Sequence, residues 1–177
     1  MGRPEELQAE ARSVLTLLEP LGPLLPTGSY LSGLMVWREL DVMLLGGPEF
    51  TPGDVLALLA KAVEIPGVTG FAYRDERGGE KRDERYHVTI TLGEWRVDLS
   101  VWLNDDHADV SEWHRELAGR LTDEERQAIL AIKTMWHQRP EYPDEVSGWD
   151  ICTAVLKHGV RTAVEFGVWL RDTQGKH

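Results

Sequence analysis

The sequence predicts an α+β fold: a mixed β-sheet within residues 1–106, followed by a helical region over residues 107–177 packed on it. Three observations carry this prediction. Tyr86–Leu92 and Trp95–Leu103 alternate polar and apolar residues on either side of Gly93-Glu94, the pattern of a hairpin. Two earlier segments place apolar residues at helical spacing between short strand-like runs. Beyond Asn104 only helical periodicity remains.

The first helix spans Pro4 to Leu18, with Leu7, Ala11, Val14, Leu15 and Leu18 on one stripe and Glu5 and Glu6 in its first turn, where the macrodipole favours acids. Pro20, Gly22 and Pro23 end it. Leu24-Leu25 reads as a short strand leading into a Gly28-Ser29 turn, and Leu40–Leu45 as a second strand closed by Gly46-Gly47-Pro48. Thr51-Pro52 is an N-cap with proline at the first helical position, which opens a helix to about Glu64 with the stripe Val55, Leu56, Leu59, Ala60 and Val63. Val68–Tyr73 reads as a strand. Arg74–Arg85 is a charged hairpin tip around Gly78-Gly79. In the tail, helices are expected over Ser111–Arg120, from a Thr122–Glu125 capping box through Trp136, over Trp149–His158 before Gly159, and over Thr162–Arg171.

Composition narrows the function classes. The chain of 177 residues has a formal net charge of −11, a surface that repels most nucleic acid and is compatible with a small cationic substrate or merely with solubility. No apolar run reaches the length of a membrane span, and the N-terminal segment lacks a signal-peptide core. A lone cysteine, Cys152, excludes an internal disulfide framework and a multi-thiolate zinc site; it reads as an inert buried thiol. Together these features predict a soluble, cytoplasmic protein.

The residues that promise chemistry begin at Gly28 and Ser29. Ten residues after Ser29, Glu39 and Asp41 flank Leu40 on a strand, so their carboxylates lie on one face while Leu40, Val42 and Leu44 point into a core. Asp98 lies mid-strand on the more polar face of the second hairpin strand, with Arg96 or Arg38 as possible ion-pair partners. Paired carboxylates suit Mg²⁺, which takes oxygen ligands and keeps several waters. A turn with free N–H groups and a hydroxyl suits phosphate. Lys133, Lys157 and Arg161 would reach a triphosphate if the tail folds over the site, and read otherwise as surface charges; Lys133 joins Gly28 and Ser29 in the expected phosphate-binding set. The cluster Asp105, Asp106, His107, Asp109, Glu112 and His114 has no metal-ligand spacing and reads as a solvated loop and helix start. Trp102, near Asp98, is a candidate for stacking on a base; the other tryptophans read as packing residues.

The segment GSYLSG…ELDVMLL, with Asp98 in WRVDLSVWL, resembles the polymerase-β-like nucleotidyltransferase superfamily. The resemblance covers about residues 4–104. It implies a mixed sheet with helices on one face and the active site on the other. It also implies Gly28 and Ser29 on the β- and γ-phosphates, and Glu39, Asp41 and Asp98 as catalytic carboxylates on a two-metal Mg²⁺ site, Asp98 taking the proton of the acceptor. The implied reaction transfers a nucleoside monophosphate from an NTP co-substrate to a hydroxyl of a small molecule or protein. One position departs from the family: Glu39 stands where aspartate is usual. This departure keeps a second reading open, a catalytically silent member that binds nucleotide or acts as an antitoxin-like interaction module.

Overall fold

The computed structural model describes residues 3–78 and 83–174. Residues 79–82, at the tip of the charged hairpin expected over Arg74–Arg85, lie outside the described residues, as do the first two and last three residues of the chain. Helix α1 (Pro4–Leu18) runs through a short 3₁₀ turn (Glu19–Leu21) into β1 (Leu25–Pro26), α2 (Gly28–Ser32), β2 (Glu39–Leu45) and α3 (Pro52–Ala62). Strands β3 (Val68–Asp75), β4 (Arg85–Leu92) and β5 (Trp95–Trp102) follow. The tail holds α4 (His107–Arg120), α5 (Asp123–Trp136), α6 (Gly148–His158) and α7 (Ala163–Gln174).

The five strands form one mixed sheet in the order β1-β2-β5-β4-β3. Its single parallel pair, β2 with β5, sets Glu39 beside Arg96 and Asp41 beside Asp98. The two-residue turn after Leu92 then fixes the antiparallel β4–β5 register, with Thr89 opposite Asp98. Period-two alternation therefore gathers the polar residues of three strands on one face.

The opposite face is apolar. Leu40, Val42 and Leu44 of β2, Val97, Leu99 and Val101 of β5, and Tyr86, Val88 and Ile90 of β4 share a core with α1 and α3. Removing each such side chain from water stabilises the fold by about 1.5–3 kcal/mol. A second core unites α5, α6 and α7 with Leu34 from the α2–β2 connection, and Trp37 packs against it. The connection between the two site-bearing elements is thus anchored in the tail.

Three expectations differ from the structure. Helix α3 buries Val55, Leu58, Leu59 and Ala62, while Leu56 and Val63 face solvent. The expected stripe and the buried one share Val55 and Leu59; the buried one continues into Ile65 and so presents the longer seam to the sheet. Gly28-Ser29 is the first turn of a short helix rather than an isolated turn. Helix α4 begins at His107, four residues earlier than expected. Asn104 precedes that start, its side-chain amide donating to Asp106 Oδ2 (2.8 Å) and its side-chain carbonyl accepting from the Asp106 N–H (3.2 Å).

Candidate active site

The polar sheet face forms the floor of a cleft of about 740 Å³ walled by α2, α4, α5 and the start of α6. Every expected site residue lines it: Gly28, Ser29, Glu39, Asp41, Asp98 and Lys133. Gly28 has φ +59°, a left-handed value, and a Cβ there would collide with the Asp41 carboxylate. A glycine is therefore required both by the backbone turn and by the close approach of α2 to β2.

The carboxylates repel each other in a poorly hydrated setting. Burial, followed by the charges of Asp41 and Asp98, raises Glu39 well above the ordinary carboxylate range. Burial and the Asp98 charge push Asp41 up to about 6, against the opposing pull of the Lys133 charge and the Ser29 backbone N–H. Asp98 behaves differently. Burial would raise it too, but hydrogen bonds from His87 and Arg96 outweigh that effect and hold it below the ordinary aspartate value.

The bonds around Asp98 are short and specific. Arg96 Nε donates to Oδ2 at 2.7 Å and Thr89 Oγ1 to Oδ1 at 2.9 Å, with His87 Nε2 3.3 Å from Oδ1. Arg96 also reaches Asp144 in the loop before α6, at 3.4 Å. Of the two partners considered for Asp98, Arg96 takes the role; Arg38 pairs instead with Glu10 and Glu94.

Lys133 is buried, unlike a solvated helix charge. Its Nζ donates to Ser29 Oγ at 2.6 Å and to the Leu34 carbonyl at 3.1 Å, joining α5 to α2. The other two tail cations stay away from the cleft. Lys157 is exposed, and Arg161 donates to the Val155 and Val160 carbonyls at the end of α6. Trp102 is buried beneath the Arg85 guanidinium, 5.3 Å from its ring, so its ring face is already covered. Cys152 is buried in the cleft wall, and burial pushes its thiol up to about 11, as expected of an inert thiol.

Two lining residues, Trp149 and His87, and two that bond to the site carboxylates, Thr89 and Trp37, escaped sequence reasoning. Trp149, 52% exposed, opens α6 beside Ser147 and packs on Trp113 of α4 at 4.3 Å between ring centroids. The Ser147–Asp150 capping box was a legible signal for its place at a helix start. Thr89 was legible too, by counting back from the hairpin turn. The same count sets His87 opposite Ser100 on that face, whereas Trp37 carried no such signal.

The donor set fits Mg²⁺, because two carboxylates on one strand face, Glu39 and Asp41, are disfavoured as anions by burial and by neighbouring carboxylates, Asp98 acting on both. Mg²⁺ needs only one or two carboxylates with waters and substrate phosphates. Among the described residues no group of three His, Cys, Asp or Glu side chains stands ready to hold a metal ion, the third carboxylate being engaged by Arg96. The Asp105–His114 cluster likewise forms no such group.

Neither a protein-family model nor a curated protein matches the sequence. Solved structures match in fold. The Cid1 poly(U) polymerase with Mg and 3′-dATP bound superposes with a TM-score of 0.61 at 15% identity, over 87% of this chain and 49% of that one. The GLD-2–GLD-3 poly(A) polymerase complex gives 0.60 at 14%, over 90% and 55%. The polymerase core of TRAMP, an RNA surveillance complex, gives 0.59 at 15%, over 85% and 49%. The chain thus spans about half the length of the structures it matches. With the parallel β2–β5 pair, the apolar face under α1 and α3 and the carboxylates on the opposite face, these likenesses show that the chain has the polymerase-β-like nucleotidyltransferase fold.

Proposed function

We propose that this chain is a metal-dependent nucleotidyltransferase that moves a nucleoside monophosphate from an NTP to a hydroxyl of a small-molecule or protein acceptor. One observation carries the reading. Glu39, Asp41 and Asp98 meet on the floor of a cleft whose wall holds Ser29 and a buried lysine, Lys133. Residues 1–106 would supply the carboxylates and residues 107–177 the lysine and the aromatic wall.

Glu39 and Asp41 would hold Mg²⁺, with Asp98 completing the set on release from Arg96. Bound metal would supply electrostatic stabilisation of the attacking and leaving oxygens. Ser29, the start of α2 and Lys133 would bind the β- and γ-phosphates; displacing Ser29 Oγ from Lys133 Nζ would free a charge-assisted donor for them. Trp149 would stack on the base. In the transfer, the acceptor oxygen bonds to the α-phosphorus as the bond to pyrophosphate breaks, and the acceptor gives up its proton. Asp98, on release from Arg96, would take that proton.

In-line displacement sends the acceptor in opposite the pyrophosphate, along the floor towards Asp75, Glu76 and Asp83. These acids are already paired with Arg74, Arg77 and Arg85, so the preference for a cationic or neutral acceptor rests on the net charge of −11. The silent-member reading draws on the Arg96–Asp98 ion pair, which occupies the third carboxylate.

The test is pyrophosphate release from each NTP with Mg²⁺ and a panel of aminated polyols and hydroxyl-bearing peptides. Release by the wild type, absent in Asp41→Asn, supports transfer. NTP binding that is unchanged by chelation of metal, with no release on any acceptor, supports the silent module instead.

A further inference from the structure

The glutamate at position 39 is longer by one methylene than the aspartate usual there, which displaces a carboxylate by about 1.5 Å. Trp37 Nε1 donates to Glu39 Oε2 at 3.1 Å. The backbone makes the pairing local, because the Glu39 N–H donates to the Trp37 carbonyl at 2.9 Å and so folds residue 37 back against residue 39.

The indole is itself held in place. Its ring meets Tyr142 edge-on, with centroids 6.2 Å apart at 69°, and lies 6.1 Å from the His137 ring. It packs on the core formed by α5, α6 and α7. A single N–H engages one carboxylate oxygen and leaves Oε1 for the cleft. Glu39 is 7% exposed, so few other conformations are open to it once Oε2 is taken.

We infer that Trp37 is a positioning residue that sets the Glu39 carboxylate for a divalent cation and makes that setting depend on the docked helical tail. This rests on the metal-holding role proposed above for Glu39. Groups that orient a ligand from behind commonly change metal affinity by about 10–100-fold when removed. The indole is such a group, and it is supplied by a connection whose seat lies in the tail.

The test is a double-mutant cycle on Mn²⁺ affinity, read by calorimetry and by the paramagnetic resonance of bound Mn²⁺, with no nucleotide present. Trp37→Phe keeps a ring and removes the N–H; it is expected to weaken Mn²⁺ by about tenfold. Glu39→Asp sets its own baseline for Mn²⁺, and adding Trp37→Phe to it is expected to change affinity from that baseline less than about twofold, because the shorter carboxylate does not use the indole. If Trp37→Phe does not fold, 3-benzothienylalanine at position 37 keeps the bicyclic shape and removes only the N–H. Equal losses in both backgrounds, or no loss in the wild type, would overturn the inference and leave Trp37 a packing residue. A wild type that binds no Mn²⁺ would overturn the inference and the metal-site reading together. The expected cycle without pyrophosphate release would uphold the inference and overturn the transferase reading alone.

Discussion

Asp41 concentrates the chemistry of this molecule in one side chain. It lies against Gly28, accepts the influence of Ser29 and Lys133, and faces Asp98 across the parallel strand pair. Its folded-state pKa, about 6, stands above the unfolded value of 3.8. The folded protein therefore binds more protons than the unfolded chain between those values, and stability from this group is full below pH 4 and lost as pH rises through 6. Two shifts follow for the metal-free protein. Asp41→Asn should melt together with the wild type near pH 4 and above it at pH 8, by several degrees at roughly 2–4 °C per kcal/mol for a chain of this size. Mg²⁺ should raise the melting temperature of the wild type more at pH 8 than at pH 5, and that of Asp41→Asn hardly at all. Differential scanning calorimetry across pH, in chelator and in Mg²⁺, checks both; an Asp41→Asn protein that melts well below the wild type at pH 8 would make Asp41 a structural residue.

Elements place these side chains, and they differ in how far each supports the site. Gly28 opens α2 with a left-handed backbone pressed on Asp41. Gly28→Ala should lose about 1–3 kcal/mol of stability and, with it, NTP binding. Thr122 caps α5 at the end remote from Lys133, its Oγ1 accepting from the Glu125 N–H. Thr122→Ala should lose about 1 kcal/mol yet leave NTP affinity unchanged. Melting curves and NTP titrations on the two variants separate these outcomes. The elements were mostly legible in advance: the 4–18 helix, the β4–β5 hairpin, the Thr51 N-cap and the Thr122–Glu125 capping box announce themselves through local spacing. The α3 stripe did not, because that helix is apolar over a wide arc and packing against the sheet chose which part to bury. The burial of Lys133 was illegible for a related reason. Only the docking of α5 on α2, contacts between residues about a hundred positions apart, tells a buried lysine from a solvated one.

At the scale of the whole molecule, two cores meet along the cleft. One backs the sheet with α1 and α3; the other binds the tail together and receives Leu34 and Trp37 from the connection between α2 and β2. The carboxylates come from one side and Lys133 from the other, so the site is complete only when both are docked. Lys133→Met, which keeps the apolar stem and removes the ammonium, should weaken NTP binding at least about tenfold, one charge-assisted contact being worth about 1.5–3 kcal/mol. The matched folds come from poly(U) and poly(A) polymerases, yet this chain carries a net charge of −11. Filter binding to single-stranded RNA at physiological salt should give a dissociation constant weaker than about 10⁻⁴ M, the upper end of non-specific binding. Tight RNA binding would reverse the acceptor assignment while leaving the nucleotide site intact.

The central claim, a metal-dependent nucleotide site built on Glu39 and Asp41, is tested most directly by calorimetric titration of ATP, GTP, CTP and UTP into the wild type and Asp41→Asn, with and without Mg²⁺. The account predicts that at least one nucleotide binds the wild type in Mg²⁺, and that this binding disappears in chelator and in Asp41→Asn. Failure of all four to bind, or binding indifferent to both metal and mutation, would contradict it.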